Sequence, residues 1–219
     1  MNINNPLDFN LPEYVFNKVS KDILTGKYKA GDKLIEAVVQ QEYQVSKSPV
    51  REAFQMLINA GLVERIIRRG CFVKRFTPKE IEDIYLVRME LESLAAKNAY
   101  EIITDDQIVK LNKLYKLMEK DVEKNDSDAY FVSHNDFQRF FGEVCGNRVL
   151  IDICERLRVQ NMWYNHQFHN VDIHYDVRTH DEIVEEFNIR RLNSNAIGEL
   201  MRNHIAVGLR NFHKFIENQ

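Results

Sequence analysis

The sequence predicts a mostly α-helical chain in two parts: three helices closed by a small two-stranded hairpin, then an all-α helical bundle. Three observations carry this. Apolar residues recur at helical spacing along nearly the whole chain, with strand-like runs only at Leu62–Ile66 and Cys71–Arg75. Stop and start signals punctuate that pattern at short intervals, among them Gly26, Gly61, Thr77-Pro78-Lys79-Glu80, Thr104-Asp105-Asp106-Gln107 and Gly146-Asn147. Charge divides along the same line. Residues 1–76 hold 12 Lys and Arg against 8 Asp and Glu, and residues 77–219 hold 18 against 25, giving a +4 head and a −7 body.

The first helix runs from Leu11 or Pro12 to about Thr25, with Val15, Val19 and Ile23 on its apolar face and Gly26 ending it. Lys27 to Asp32 reads as a turn, and a short second helix covers about Ile35 to Tyr43. Gln44 to Lys47 turns the chain into the third helix. There Ser48 suits the N-cap, Pro49 the first helical position, and Val50, Phe54, Leu57 and Ile58 the buried face. Gly61 ends it, and Ile67-Arg68-Arg69-Gly70 joins the two strands, with glycine where φ turns positive. Thr77 to Glu80 is a capping box that opens a helix from Pro78 to about Glu101. Five more helices follow: one from the Thr104 capping box to Asn125, then about 129–144, 149–166, 177–192 and 195 onward. This divides the chain into residues 1–76, a winged helix-turn-helix, and residues 77–219, a bundle.

A hydrophobic content of 44% and a charged content of 29% suit a globular protein with a real core. No apolar run approaches a membrane span, and MNINNPLDFNLPEY lacks the pattern of a signal peptide. Cys71, Cys145 and Cys154 are odd in number and form no CxxC, which fits a reducing cytoplasm.

The start of the third helix carries cations where the backbone dipole disfavours them. Lys47 and Arg51 stand at an end that prefers Asp or Glu. Placed at the entrance of a recognition helix they make sense, because phosphates and base acceptors of double-stranded DNA supply the missing negative charge. Ser46, Ser48 and Gln55 add uncharged hydrogen-bonding groups on the same side. Arg65, Arg68, Arg69, Lys74 and Arg75 make the hairpin basic, with Gly70 at its turn. The bland reading of the charges alone is a solvated helix; helix spacing and wing together favour DNA.

Several separated motifs then agree in order. Gly26-x4-Gly31-Asp32-x-Leu34-x-Glu36, Val45-Ser46-Lys47-Ser48-Pro49-Val50-Arg51-Glu52-Ala53, Gly61-Leu62-Val63 and Arg69-Gly70-Cys71-Phe72-Val73 closely resemble the GntR family of bacterial transcription regulators. Where the family usually has Ser-Arg-Thr-Pro-Val-Arg-Glu-Ala, this chain has Lys47 and Ser48, and lysine lacks the bidentate fork that reads guanine. The second part resembles the all-helical ligand-sensing FCD domain of the FadR-like branch, through Ile84-Tyr85-x-Val87-Arg88-x3-Glu92-x2-Ala95-Ala96, Gly146-Asn147, His180 and His204.

The resemblance implies a divalent metal held by Asp and His four apart on one helix and by two later histidines. In this chain the first two positions fall on His134 and Gln138, leaving His134, His180 and His204 as a three-His site for zinc, nickel or a similar ion. The other reading is hydrogen-bonded core histidines around a metal-free pocket. Arg88 lies four before Glu92, either as an ion pair or, as the resemblance favours, as the group that holds a carboxylate effector together with Gln138. Met162, Trp163, Tyr164, His166, Phe168 and His169 read mostly as core and pocket wall, with a second metal site at His166 and His169 as a remote alternative. The expectation is a cytoplasmic homodimeric repressor that binds a pseudo-palindromic operator and senses a small organic acid. The rival is a metal-dependent helical enzyme fused to a DNA-binding head, though no nucleophile elbow, P-loop or paired catalytic carboxylates support it.

Overall fold

The computed structural model describes residues 10–168 and 173–217, without the side chains of 166–168. Its contacts divide the chain into two compact units: residues up to Phe76 with Met162–Gln167, and Thr77–Asn161 with Phe168 onward.

The first unit contains α1 (Leu11–Leu24), β1 (Lys33–Leu34), α2 (Glu36–Tyr43), α3 (Lys47–Ala60), β2 (Val63–Ile66) and β3 (Gly70–Val73). Val15, Val19 and Ile23 of α1 are fully buried, and α3 packs on α1 with Val50, Ala53, Phe54 and Leu57 in the same core. Burying each such aliphatic or aromatic side chain is worth about 1.5–3 kcal/mol, which holds the helices at a fixed angle. The antiparallel strand order is β1-β3-β2. β1 lies where the sequence suggests only a turn leading to a helix; two residues show no periodicity, and Leu34 becomes a strand residue by pairing with Cys71 on the open edge of β3. In the hairpin Ile66 pairs with Gly70, the Arg69 N–H donates to the Ile66 carbonyl at 3.0 Å, and both Gly70 and Arg68 take positive φ, 115° and 62°.

The second unit contains α4 (Pro78–Ile102), α5 (Asp105–Glu123), α6 (Ser127–Cys145), α7 (Arg148–Phe168), α8 (Ile173–Arg178), α9 (Asp181–Ile189) and α10 (Ser194–Glu217). Both capping boxes form reciprocally, Thr77 with Glu80 and Thr104 with Gln107. Asn147 caps α7 through its side-chain oxygen, which accepts from the Leu150 N–H at 3.1 Å. α4 packs on α10 and α6, and α5 on α6, α8 and α9, around Leu111, Met118, Phe137, Phe141, Phe187 and Met201. The α4–α10 contact is close because a Cβ built on Gly208 would lie 2.8 Å from the Tyr85 ring.

Two local expectations are corrected. The N-cap of α3 is Ser46 rather than Ser48, so Lys47 is itself the first helical residue, and no side chain caps that end. Ser48 instead donates to Glu52 at 3.1 Å. The helix expected over 177–192 is the shorter α9, and a separate helix, α8, ends at Arg178 just before it, giving seven in the second unit among the described residues where six were expected. The break has a side-chain cause. Thr179 Oγ1 donates to the Asp176 carbonyl at 2.6 Å, and His180 Nδ1 lies 3.1 and 3.2 Å from the Asp176 and Val177 carbonyls, competing with the helix's own donors.

Candidate nucleic-acid face and buried histidine site

On the first unit, Ser46, Lys47, Ser48, Arg51, Gln55, Arg68, Arg69 and Gly70 are all exposed. Because Pro49, Val50, Ala53, Phe54 and Leu57 are buried, the helical period leaves Arg51 and Gln55 on the outward face of α3, with Lys47 one turn before Arg51. An open groove of about 880 Å³ is lined by Arg51 on one side and by Arg65, Arg68, Arg69 and Gly70 of the hairpin on the other. Arg51 Nε donates to Glu36 at 3.1 Å and Gln55 to Asn59 at 3.0 Å. Such exposed contacts are worth about 0–1 kcal/mol, so they orient the side chains without withholding them from a stronger anion. Arg69 lies over the Phe72 ring at 5.6 Å.

On the second unit, the break between α8 and α9 turns His180 inward. His134 of α6, His180 and His204 of α10 meet there, with one ligand atom from each within 4.8 Å of the others. The hydrogen bonds assign the tautomers. His180 Nδ1 faces two carbonyl oxygens and carries the proton, so its buried Nε2 is a lone pair with no partner. Thr179 spends its hydroxyl proton on Asp176 and therefore accepts from His204 Nδ1 at 2.9 Å. That leaves His204 Nε2 as an acceptor, facing the Gln138 amide nitrogen at 3.3 Å. His134 Nε2 is also buried without a partner, and its ring stacks on Tyr130 at 5.7 Å. Burial pushes all three histidines below their usual range; for His134 the His180 ring, Arg88 and Arg158 push further in the same direction. The site is thus three neutral imidazoles with one ring nitrogen from each brought together, the donor set a borderline-soft divalent ion takes.

Arg88 and Glu92 form an ion pair at 2.8 Å, the plainer of the two readings, but inside the unit, with side chains only 2% and 4% exposed. Arg88 Nη2 also donates to Gln138 Oε1 at 3.0 Å. One polar chain therefore runs from Glu92 through Arg88, Gln138 and His204 to Thr179.

Residues 83–207 match the FCD domain, and residues 11–73 match the gntR family of bacterial regulatory proteins. The chain belongs to the GntR family of bacterial transcription regulators. This GntR regulator is 26% identical over 200 residues to the HTH-type transcriptional regulator YdhC of Bacillus subtilis, spanning 87% of this chain and 86% of that one. It is 28% identical over 143 residues to the gluconate operon transcriptional repressor of the same organism, spanning 65% of this chain and 55% of the repressor. Of solved structures, E. coli McbR/YncC shares the fold with a TM-score of 0.81 at 17% identity, covering 94% of this chain and 98% of that one. Family, relatives and structural neighbours are all regulators, so the enzyme alternative falls away. No helix among the described residues is long and apolar enough to cross a membrane.

Sequence reasoning missed Thr179 and Arg158. Thr179 has a signal only in hindsight, as a hydroxyl residue beside His180 where a helix breaks. Arg158 had a clearer one: Leu150, Cys154 and Arg158 are spaced by four and all buried, so a charge falls on an apolar stripe. Trp163 and Tyr164 are buried, as read; the His166 side chain and His169 lie outside the described residues.

Proposed function

We propose that this GntR regulator is a repressor that binds a pseudo-palindromic DNA operator as a homodimer and is released by a small organic acid sensed within the helical unit. The observation that carries the sensing half is the convergence of three neutral histidines inside the bundle, two of them with a buried, partnerless Nε2. His134, His180 and His204 would hold a divalent ion, zinc or nickel. When bound, such an ion supplies positive charge and an open coordination position for a carboxylate oxygen. Arg88 and Gln138 stand beside it as effector-binding groups, with Glu92 and His204 fixing their orientation. The name of the gluconate operon repressor fits an acid as ligand class. The exposed cations of α3 and the hairpin support the DNA half: Lys47 and Arg51 at an uncapped helix start, Arg68 and Arg69 on the wing. Effector binding acts by favouring one arrangement of the dimer over another. The cytoplasm, where the DNA lies, is the place of action.

Two measurements test this together. A gel shift with the DNA upstream of the chain's own coding sequence should show a complex that Arg51→Ala abolishes; undiminished binding by that variant overturns the recognition-helix assignment. Metal analysis of untagged protein should find about one ion per chain, lost in His180→Ala and His204→Ala. An ion-free wild type overturns the metal part and leaves a hydrogen-bonded histidine pocket.

A further inference from the structure

Single apolar side chains at a protein surface are common and by themselves decide nothing. Ile67 differs by its position. It is 85% exposed, the most exposed of the large hydrophobic residues described, and the next, Val149, is 69% exposed. It stands at the apex of the hairpin between β2 and β3, with Arg68 and Arg69 directly after it. That apex is held firmly. The Arg69 N–H closes the turn on the Ile66 carbonyl at 3.0 Å, and the Arg69 guanidinium lies over the Phe72 ring at 5.6 Å. Lys33 packs so close to Gly70 that a Cβ there would lie 3.1 Å from its Cε. Arg68 takes φ 62°, a conformation glycine adopts at less cost. The turn thus combines backbone strain with apolar exposure at one point.

Ile67 also lines the open groove between α3 and the hairpin, together with Arg51, Arg65, Arg68 and Arg69. A groove with cations on both walls suits one sugar–phosphate strand of a duplex. With α3 in the major groove on one side of that strand, the hairpin on the other side meets the minor groove apex first. Isoleucine offers no hydrogen bond to base edges there. It can press between two base pairs, and the ease of doing so depends on the step. Pyrimidine–purine steps unstack readily, whereas A-tracts are stiff.

We propose that Ile67 is a minor-groove wedge through which this regulator selects operators by the deformability of the base step beneath the hairpin. This rests on the reading of α3 and the hairpin as a DNA-binding face and adds a specificity residue to it. Insertion removes the isoleucine from water, while Arg68 and Arg69 hold the flanking phosphates. The preferred step is TA or CA. A cation inserted at the same place favours the narrow, strongly negative groove of an A-tract, so the two kinds of tip choose opposite sequences.

The test starts from a binding site enriched out of random DNA duplexes on the full-length protein. Each step flanking the bases that Arg51→Ala affects is then changed to TA, CA, AA or GC, and affinity is read by fluorescence anisotropy. At one flanking step TA or CA should bind about tenfold more tightly than AA or GC, within the usual effect of a single base-pair change. Ile67→Ala, at an exposed position that does not support the fold, should erase that preference. It should leave the salt dependence and the Arg51-dependent base preferences as they are, and Ile67→Leu should restore the step preference. A step preference that survives in Ile67→Ala, or none at any flanking step, overturns the wedge while leaving DNA binding intact. A preference for A-tracts that Arg68→Ala removes also overturns it, and assigns the minor groove to the cation. If the wild type enriches no sequence, the DNA-binding reading fails and the wedge with it.

Discussion

Lys47 and Arg51 lie one turn apart on α3 and are both exposed, yet their chemistry differs. Arg51 offers a planar fork, already held at one edge by Glu36; Lys47 is a mobile point charge at the first helical residue. Lys47→Ala should therefore weaken binding evenly across DNA sequences and reduce the slope of log affinity against log salt by about one. Arg51→Ala should cost about 1–3 kcal/mol at one base position and relax its preference there. Binding measured against a set of single-base operator changes at several salt concentrations separates the two; equal effects would show that both act as phosphate clamps. Cys154 offers a second residue-scale test. Its thiol is pushed up to about 12, mainly by burial, so the charged, reactive form is the disfavoured one. At pH 8 about one thiol in ten thousand is ionised. Disulfide-exchange reagents should modify half-buried Cys145 in the native protein and reach Cys154 only on unfolding, read by mass spectrometry of the labelled peptides.

At the scale of elements, α4 and α10 pack most closely where glycine removes a side chain. Gly208 faces the Tyr85 ring at a distance no Cβ tolerates, and Tyr85 is 4% exposed with little room to retreat. Gly208→Ala should lower stability by about 1–3 kcal/mol despite its better helix propensity. Chemical denaturation reads the difference, and an unchanged midpoint would mean that α10 slides past α4 freely. The elements themselves were largely legible beforehand. Both capping boxes formed as spelled, because a capping box closes within one helical turn and needs nothing from the rest of the chain. The stripe Val15, Val19 and Ile23 is buried as its spacing says. The α8–α9 break was not legible, because the apolar period continues across it and only the Thr179 and His180 side-chain bonds interrupt the backbone. β1 was not legible for the opposite reason: its only cause is the open edge of β3, far along the chain.

For the whole molecule, the proposed operator symmetry makes a stoichiometric prediction. Analytical ultracentrifugation should find two chains in solution and two per operator duplex, and half an operator should bind markedly more weakly than the whole. A single chain per duplex would remove the two-fold reading and with it the proposed route from effector to DNA.

The sequence by itself determined the family, the two-part architecture and the types of residue at each candidate site, because caps, periods and motif spacings are local properties that a short window contains. It also placed His134, His180 and His204 as a candidate trio, through their resemblance to known positions. Only the tertiary structure decided which ring nitrogens lack a partner, that Arg88 is tied to Glu92 and Gln138, and that Arg158 is buried with a donor unspent. Those facts depend on hydrogen bonds between helices distant in the chain, and pairing between distant residues is information that no local pattern carries.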